Sequence, residues 1–142
     1  MLEPDFDIVH TITDWYDGAR GGIATLEGKP HYYECRWDEE KDEWSEVYLL
    51  QQIDDETFRL AMEDWGIWLR WEAAYREGRT SHDTHPALPE ERARHNELAS
   101  ILSDRLVISP ESATKAKGDF QYGQPTLVKW TVVSDRRNPT SG

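Results

Sequence analysis

Nucleophilic chemistry in this chain would have to use Cys35, the only cysteine among 142 residues. The nearest candidate base is His31. Residues 31–38 alternate as a strand does, which puts His31, Tyr33, Cys35 and Trp37 on one face. Four residues of strand separate the thiol from the imidazole by roughly 13 Å, so no direct hydrogen bond joins them unless the strand is broken. A lone cysteine among strand aromatics is ordinarily a small buried hydrophobe, and that reading outweighs a nucleophile.

Other residue types offer equally weak chemistry. The run His82-Asp83-Thr84-His85 holds two imidazoles around a carboxylate and could begin a metal site. It falls in an expected loop, lacks the helical spacing that sets two ligands on one face, and would need His10, His31 or His95 to complete it. A turn is the preferred reading, with no metal and no cofactor. The pairs Glu63–Asp64 and Glu90–Glu91 fall on expected helices, where exposure is the default and nothing marks them for acid–base work. Residues 18–22, Gly-Ala-Arg-Gly-Gly, could wrap an anion but lack the spacing and lysine of a phosphate loop; a strand connection is the plainer account. Residues 38–43 do not follow the 12-residue calcium-loop pattern. The balance leans against an enzyme without deciding the matter.

Charge is the strongest signal. The net charge is −12. Residues 1–57 hold 16 Asp and Glu against 4 Lys and Arg, and residues 58–142 hold 12 of each, so the first part carries the whole excess. A chain this acidic repels nucleic-acid phosphates and anionic membranes. The densest stretch contains Glu39, Glu40, Asp42 and Glu43, followed by Trp44. A solvated loop that keeps the protein soluble is the commoner explanation. The sharper one is a surface for a basic protein partner, with those four carboxylates steering the encounter and Trp44 anchoring it.

The 7 tryptophans bear on the alternative. If a sheet curls over helices, His31, Tyr33, Trp37 and Trp65 could line a pocket for a small ligand or an enzyme's substrate. Trp65, Trp68 and Trp71 fall at three-residue steps, so they spiral around one helix.

The elements that must position these groups follow from pattern. Residues 6–15 alternate as a strand, and short strands follow over 22–27, 31–38 and 44–53, divided by Gly- and Asp-containing turns. Asp54 offers an N-cap for a helix to residue 77, with Gly78 as its stop. Phe58, Met62, Trp65, Leu69 and Ala73 form its main apolar stripe, widened by Ile67, Trp71 and Ala74. Pro89 opens a second helix whose stripe is Leu98, Ile101 and Leu102. A strand over 115–122 is possible, and 126–133 alternates clearly. The expected fold is α+β: an antiparallel meander, two helices packed on one face, and one or two returning C-terminal strands. One domain should cover residues 1–134, with a disordered tail over 135–142.

Several runs carry a resemblance: Asp14-Trp15-Tyr16-Asp17-Gly18, Gly22-Ile23-Ala24, Gly28-Lys29-Pro30-His31-Tyr32-Tyr33-Glu34-Cys35, Asp64-Trp65-Gly66-Ile67-Trp68 and Thr84-His85-Pro86-Ala87-Leu88-Pro89. Together they resemble a family of small uncharacterised bacterial proteins, over most of residues 10–106. The resemblance implies a bacterial cytosolic domain and neither an activity nor a functional residue. The N-terminal stretch has no basic and apolar signal regions, which with the single cysteine points to the cytoplasm. The function expected is interaction with a basic protein, in the manner of an inhibitor or immunity protein.

Overall fold

The structure is a computed structural model and describes residues 5–134. The chain divides into a β unit, made of the residues up to Ile53 and from Val107 onward, and a helical unit, Asp54–Leu106. Residues 135–142, expected as a tail, lie outside the described residues.

In the β unit, β1 (Asp7–Trp15), β2 (Ala19–Leu26), β3 (Lys29–Asp38) and β4 (Glu43–Gln52) follow one another through short turns; β5 (Thr114–Gln121) and β6 (Thr126–Ser134) come after the helical segment. The turns sit where residues tolerate a left-handed backbone: Asp17, Glu27, Gly28 and Asp42 all have φ between 54° and 78°. The Asp38 carboxylate tightens the β3–β4 turn by accepting from the backbone N–H of Glu40 at 3.1 Å and Lys41 at 3.3 Å.

All six strands pair with their sequence neighbours, and β1 also pairs with β6, through Asp7–Val128, Ile8–Leu127 and Val9–Thr126. The sheet is therefore a closed antiparallel barrel. This corrects the expected α+β fold, an antiparallel meander with two helices packed on one face and one or two returning C-terminal strands. A closed sheet turns its inner face on itself, and side chains fill the centre of a barrel this small. Tyr33, Tyr48, Phe120 and Trp130 occupy the interior, with ring centroids 5.5–6.0 Å apart. Val9, Ala24, Leu26, Leu50, Ala116 and Val128 complete the core.

Small residues make room for these rings. A Cβ on Gly22 would fall 2.2 Å from the Thr11 carbonyl oxygen and 2.9 Å from the Tyr33 hydroxyl. Its φ of +155° also disfavours a side chain. Gly22 lets β1 and β2 approach over the Tyr33 ring, and Tyr33 in turn donates to Thr11 O at 3.1 Å.

The helical unit consists of α1 (Asp55–Arg76), 3-10 turns at His82–Thr84 and Pro89–Glu91, and α2 (Arg92–Arg105). Asp54 caps α1 by accepting from Thr57 N at 2.8 Å, and that bond holds its carboxyl below the usual range. The buried stripe of α1 is Leu60, Ile67, Trp71 and Ala74, whereas Leu69 is 43% exposed and Ala73 is exposed. The expected main stripe is thus displaced. Asp64 breaks the apolar run of the buried face and pairs with His95 of α2, Oδ1 to Nδ1 2.7 Å. Arg94–Glu63 and Arg105–Glu56 join the same helices, and Arg70 pairs with Glu91 in the 3-10 turn before α2. Partner numbers that fall on α2 as they rise on α1 are the mark of antiparallel neighbours. On α2, Leu98 and Leu102 are buried. No helix among the described residues is long and apolar enough to cross a membrane.

Candidate functional site

Alternation of strand direction brings the β1–β2, β3–β4 and β5–β6 connections to one end of the barrel. Aromatic residues crowd that end. Trp15 and Tyr122 meet edge to face at 5.1 Å, Trp37 and Trp44 do so at 5.3 Å, and Tyr16 tilts against Trp44 at 5.8 Å. Trp15, Tyr16, Trp37 and Tyr122 are 46–66% exposed. The acidic loop with Glu39, Glu40, Asp42 and Glu43 rises from the same end, all four exposed.

Arg20 organises the cluster. Its guanidinium lies 4.6 Å from the Trp44 ring centroid. It donates to the carbonyls of Tyr16 at 2.8 Å and Asp17 at 3.0 Å, and to Cys35 Sγ at 3.6 Å. The Gly-rich run 18–22 is thereby a strand entry, with Arg20 fastening the turn before it. The Tyr122 hydroxyl accepts from Ala19 N at 2.9 Å, and Tyr48 donates to Ala19 O at 2.8 Å.

The β3–β4 ladder is irregular beneath this cluster. Cys35 pairs with Tyr48 but Trp37 pairs with Trp44, so Ser45, Glu46 and Val47 stand opposite Arg36 alone. Side chains satisfy the bulge. Ser45 Oγ accepts from Val47 N at 3.1 Å, and the Cys35 thiol donates to Ser45 O at 3.2 Å. Burial pushes the Cys35 thiol up, with Arg20 opposing, so the protonated donor is the form favoured. His31, Tyr33 and Cys35 are buried, whereas Trp37, next to the end of β3, is 46% exposed and packs against Trp44.

The partner residues inferred from sequence, Glu39, Glu40, Asp42, Glu43 and Trp44, come together here. Of the four named for a pocket, three lie at separate places in the β unit and one in the helical unit. Tyr33 is enclosed by the barrel's rings, and His31 is buried near the start of β3, its Nδ1 2.9 Å from Lys29 O. Trp37 points to the exposed rim, and Trp65 belongs to the helical unit, where it stacks on Trp68 at 4.9 Å. His82 and His85 lie edge-on to Tyr75 and Trp71, at 6.5 and 4.7 Å. Among the described residues, no group of three His, Cys, Asp or Glu could hold a metal ion. Sequence singled out neither Tyr16 nor Tyr122, and Arg20 only within the run that could wrap an anion, although Trp15-Tyr16-Asp17-Gly18, bulky rings at a turn, was the signal for an exposed aromatic tip.

Searches of family models, curated proteins and solved structures find no match to this chain.

Proposed function

We propose that this chain is a non-enzymatic interaction protein whose aromatic and acidic barrel end receives a basic protein partner, as an inhibitor or immunity-type protein would in the cytoplasm. One observation carries the reading: exposed Trp15, Tyr16, Trp37 and Tyr122 share an end of the barrel with the carboxylates of Glu39, Glu40, Asp42 and Glu43. Aromatic residues supply the buried anchors of protein interfaces, and a one-signed loop beside them steers an oppositely charged surface. The same charge disfavours nucleic acid and anionic lipid.

The test is recovery of partners from the native cytosol by the wild type and by a variant with Glu39, Glu40, Asp42 and Glu43 changed to Lys. The reading expects basic proteins with the first and their loss with the second. It also expects association to slow with salt, because charges more than about 8 Å apart are screened at physiological ionic strength. Trp44→Ala should mainly raise the off-rate. Equal recovery by both proteins, or none by either, would make the loop a solubility feature.

A further inference from the structure

The β4–β5 ladder stops early. Its register runs Leu50–Thr114, Leu49–Lys115, Tyr48–Ala116 and Val47–Lys117. Continued, it would set Glu46 against Gly118, Ser45 against Asp119, Trp44 against Phe120 and Glu43 against Gln121. Both strands continue over those residues, yet none of the four pairs forms. The pairing ends where the bulge at Ser45–Glu46–Val47 begins. The Lys117–Glu46 ion pair, 3.9 Å, marks the last link before the strands part. Beyond it, Gly118–Gln121 pairs with β6 on one side only.

Unpaired strand edges are templates for another strand, and proteins ordinarily guard them with charge. Glu43, Glu46 and Asp119 flank this parting and are exposed. Like edges on two copies of this chain would therefore meet carboxylate to carboxylate. The same charges admit a strand of opposite sign. Trp44 lies on the parted β4 segment, and its indole N–H is the buried side-chain donor left without an acceptor among the described residues. Such a group is uncommon in a native structure and asks for a partner.

We propose that the parting between β4 and β5 is a strand-addition site for an extended, Lys- or Arg-rich segment of a protein partner. The segment hydrogen-bonds through its backbone to the β5 edge at Gly118–Gln121, and its alternate side chains meet Glu43, Glu46 and Asp119. This rests on the reading of the barrel end as the surface for a basic partner, and specifies how that partner is held.

An array of ten-residue peptides with Lys or Arg at alternate positions tests it. The best binder is remade with N-methyl groups on the alternate amides of one edge, in both phases; this leaves its charge and the protein unaltered. The proposal expects one of the two methylated peptides to lose at least about tenfold in affinity, as the loss of several backbone hydrogen bonds implies. It further expects amide exchange at residues 118–121 to slow when the unmodified peptide binds, and Glu46→Lys with Asp119→Lys to abolish both effects. If both methylated peptides bind within about twofold of the parent and exchange at 118–121 is unchanged, strand addition is overturned while docking by charge stands. If no peptide binds at low salt, strand addition is overturned, and the reading of the barrel end is decided by the recovery experiment alone. Protection at 118–121 that grows with protein concentration in the absence of peptide places a second copy in the gap and also overturns the proposal.

Discussion

The Cys35 thiol donates to the carbonyl of Ser45 at 3.2 Å, across the irregular stretch where three residues of β4 stand opposite one of β3. The bond answers a backbone acceptor that the ladder leaves unused. It gives the single cysteine a structural task beneath the barrel's aromatic end.

Replacing that donor tests the task. Cys35→Val fills similar space but donates nothing, and should cost about 1–3 kcal/mol, the range for an unsatisfied buried acceptor. Cys35→Ser keeps a hydroxyl donor and should lose less. Urea unfolding of the two variants checks the order; a valine variant as stable as the wild type would remove the bond from the argument. Because burial raises the thiol's pKa, alkylation of the folded protein at neutral pH should run at least about tenfold slower than that of the unfolded chain.

Tyr48 predicts an alkaline loss of stability. Burial, reinforced by the neighbouring Cys35, pushes its hydroxyl up to about 12; the unfolded chain titrates near ~10. Above that lower value the unfolded state holds fewer protons than the folded one, so unfolding free energy falls as pH rises. The contribution is intact below about pH 10 and lost as pH climbs toward the folded value. Burial raises Tyr33 further still, which extends the decline. Urea unfolding across this range, read beside tyrosinate absorbance, should show the decline with Tyr33 and Tyr48 ionising last. In Tyr48→Phe the slope should shallow, although the bond to Ala19 O is lost. An unchanged slope would mean that other groups set the alkaline limit.

Two glycines should respond with opposite sign. At Gly22 a methyl would meet the Thr11 carbonyl at 2.2 Å, and backbone atoms cannot step aside without breaking the β1–β2 ladder. Gly22→Ala should cost at least about 3 kcal/mol. At Gly66, within α1, a methyl would meet only the Arg70 guanidinium at 3.3 Å, the far end of a flexible side chain. Gly66→Ala should stabilise by about 0.5–1 kcal/mol, the helix penalty of glycine. Thermal unfolding of both variants tests the contrast. A tolerated Gly22→Ala would show that β1 and β2 do not pack as closely as the structure has them.

Local chemistry determined much of this protein before any tertiary contact. The Asp54 cap, the turns at Asp17–Gly18 and Gly28, and the inward series His31, Tyr33 and Cys35 depend on backbone propensity and a two-residue period, which neighbours in sequence carry. Composition alone confined the acidic excess to residues 1–57 and put Glu39, Glu40, Asp42, Glu43 and Trp44 in one short stretch. Tertiary structure alone decided the rest. Whether a sheet stays open or closes depends on Asp7–Val9 meeting Thr126–Val128, residues from opposite ends of the chain whose alternation is the same in either case. Trp37 is exposed although it keeps the period of His31, Tyr33 and Cys35, because it lies next to the end of β3, where the enclosing barrel gives out. The buried side of α1 was hidden by Asp64, a charge that reads as solvent-facing until His95 stands beside it at 2.7 Å. The aromatic end itself gathers Trp15, Tyr16, Trp37, Trp44 and Tyr122 from three hairpins. Its assembly needed barrel closure, and closure is a long-range pairing that no single stretch of sequence encodes.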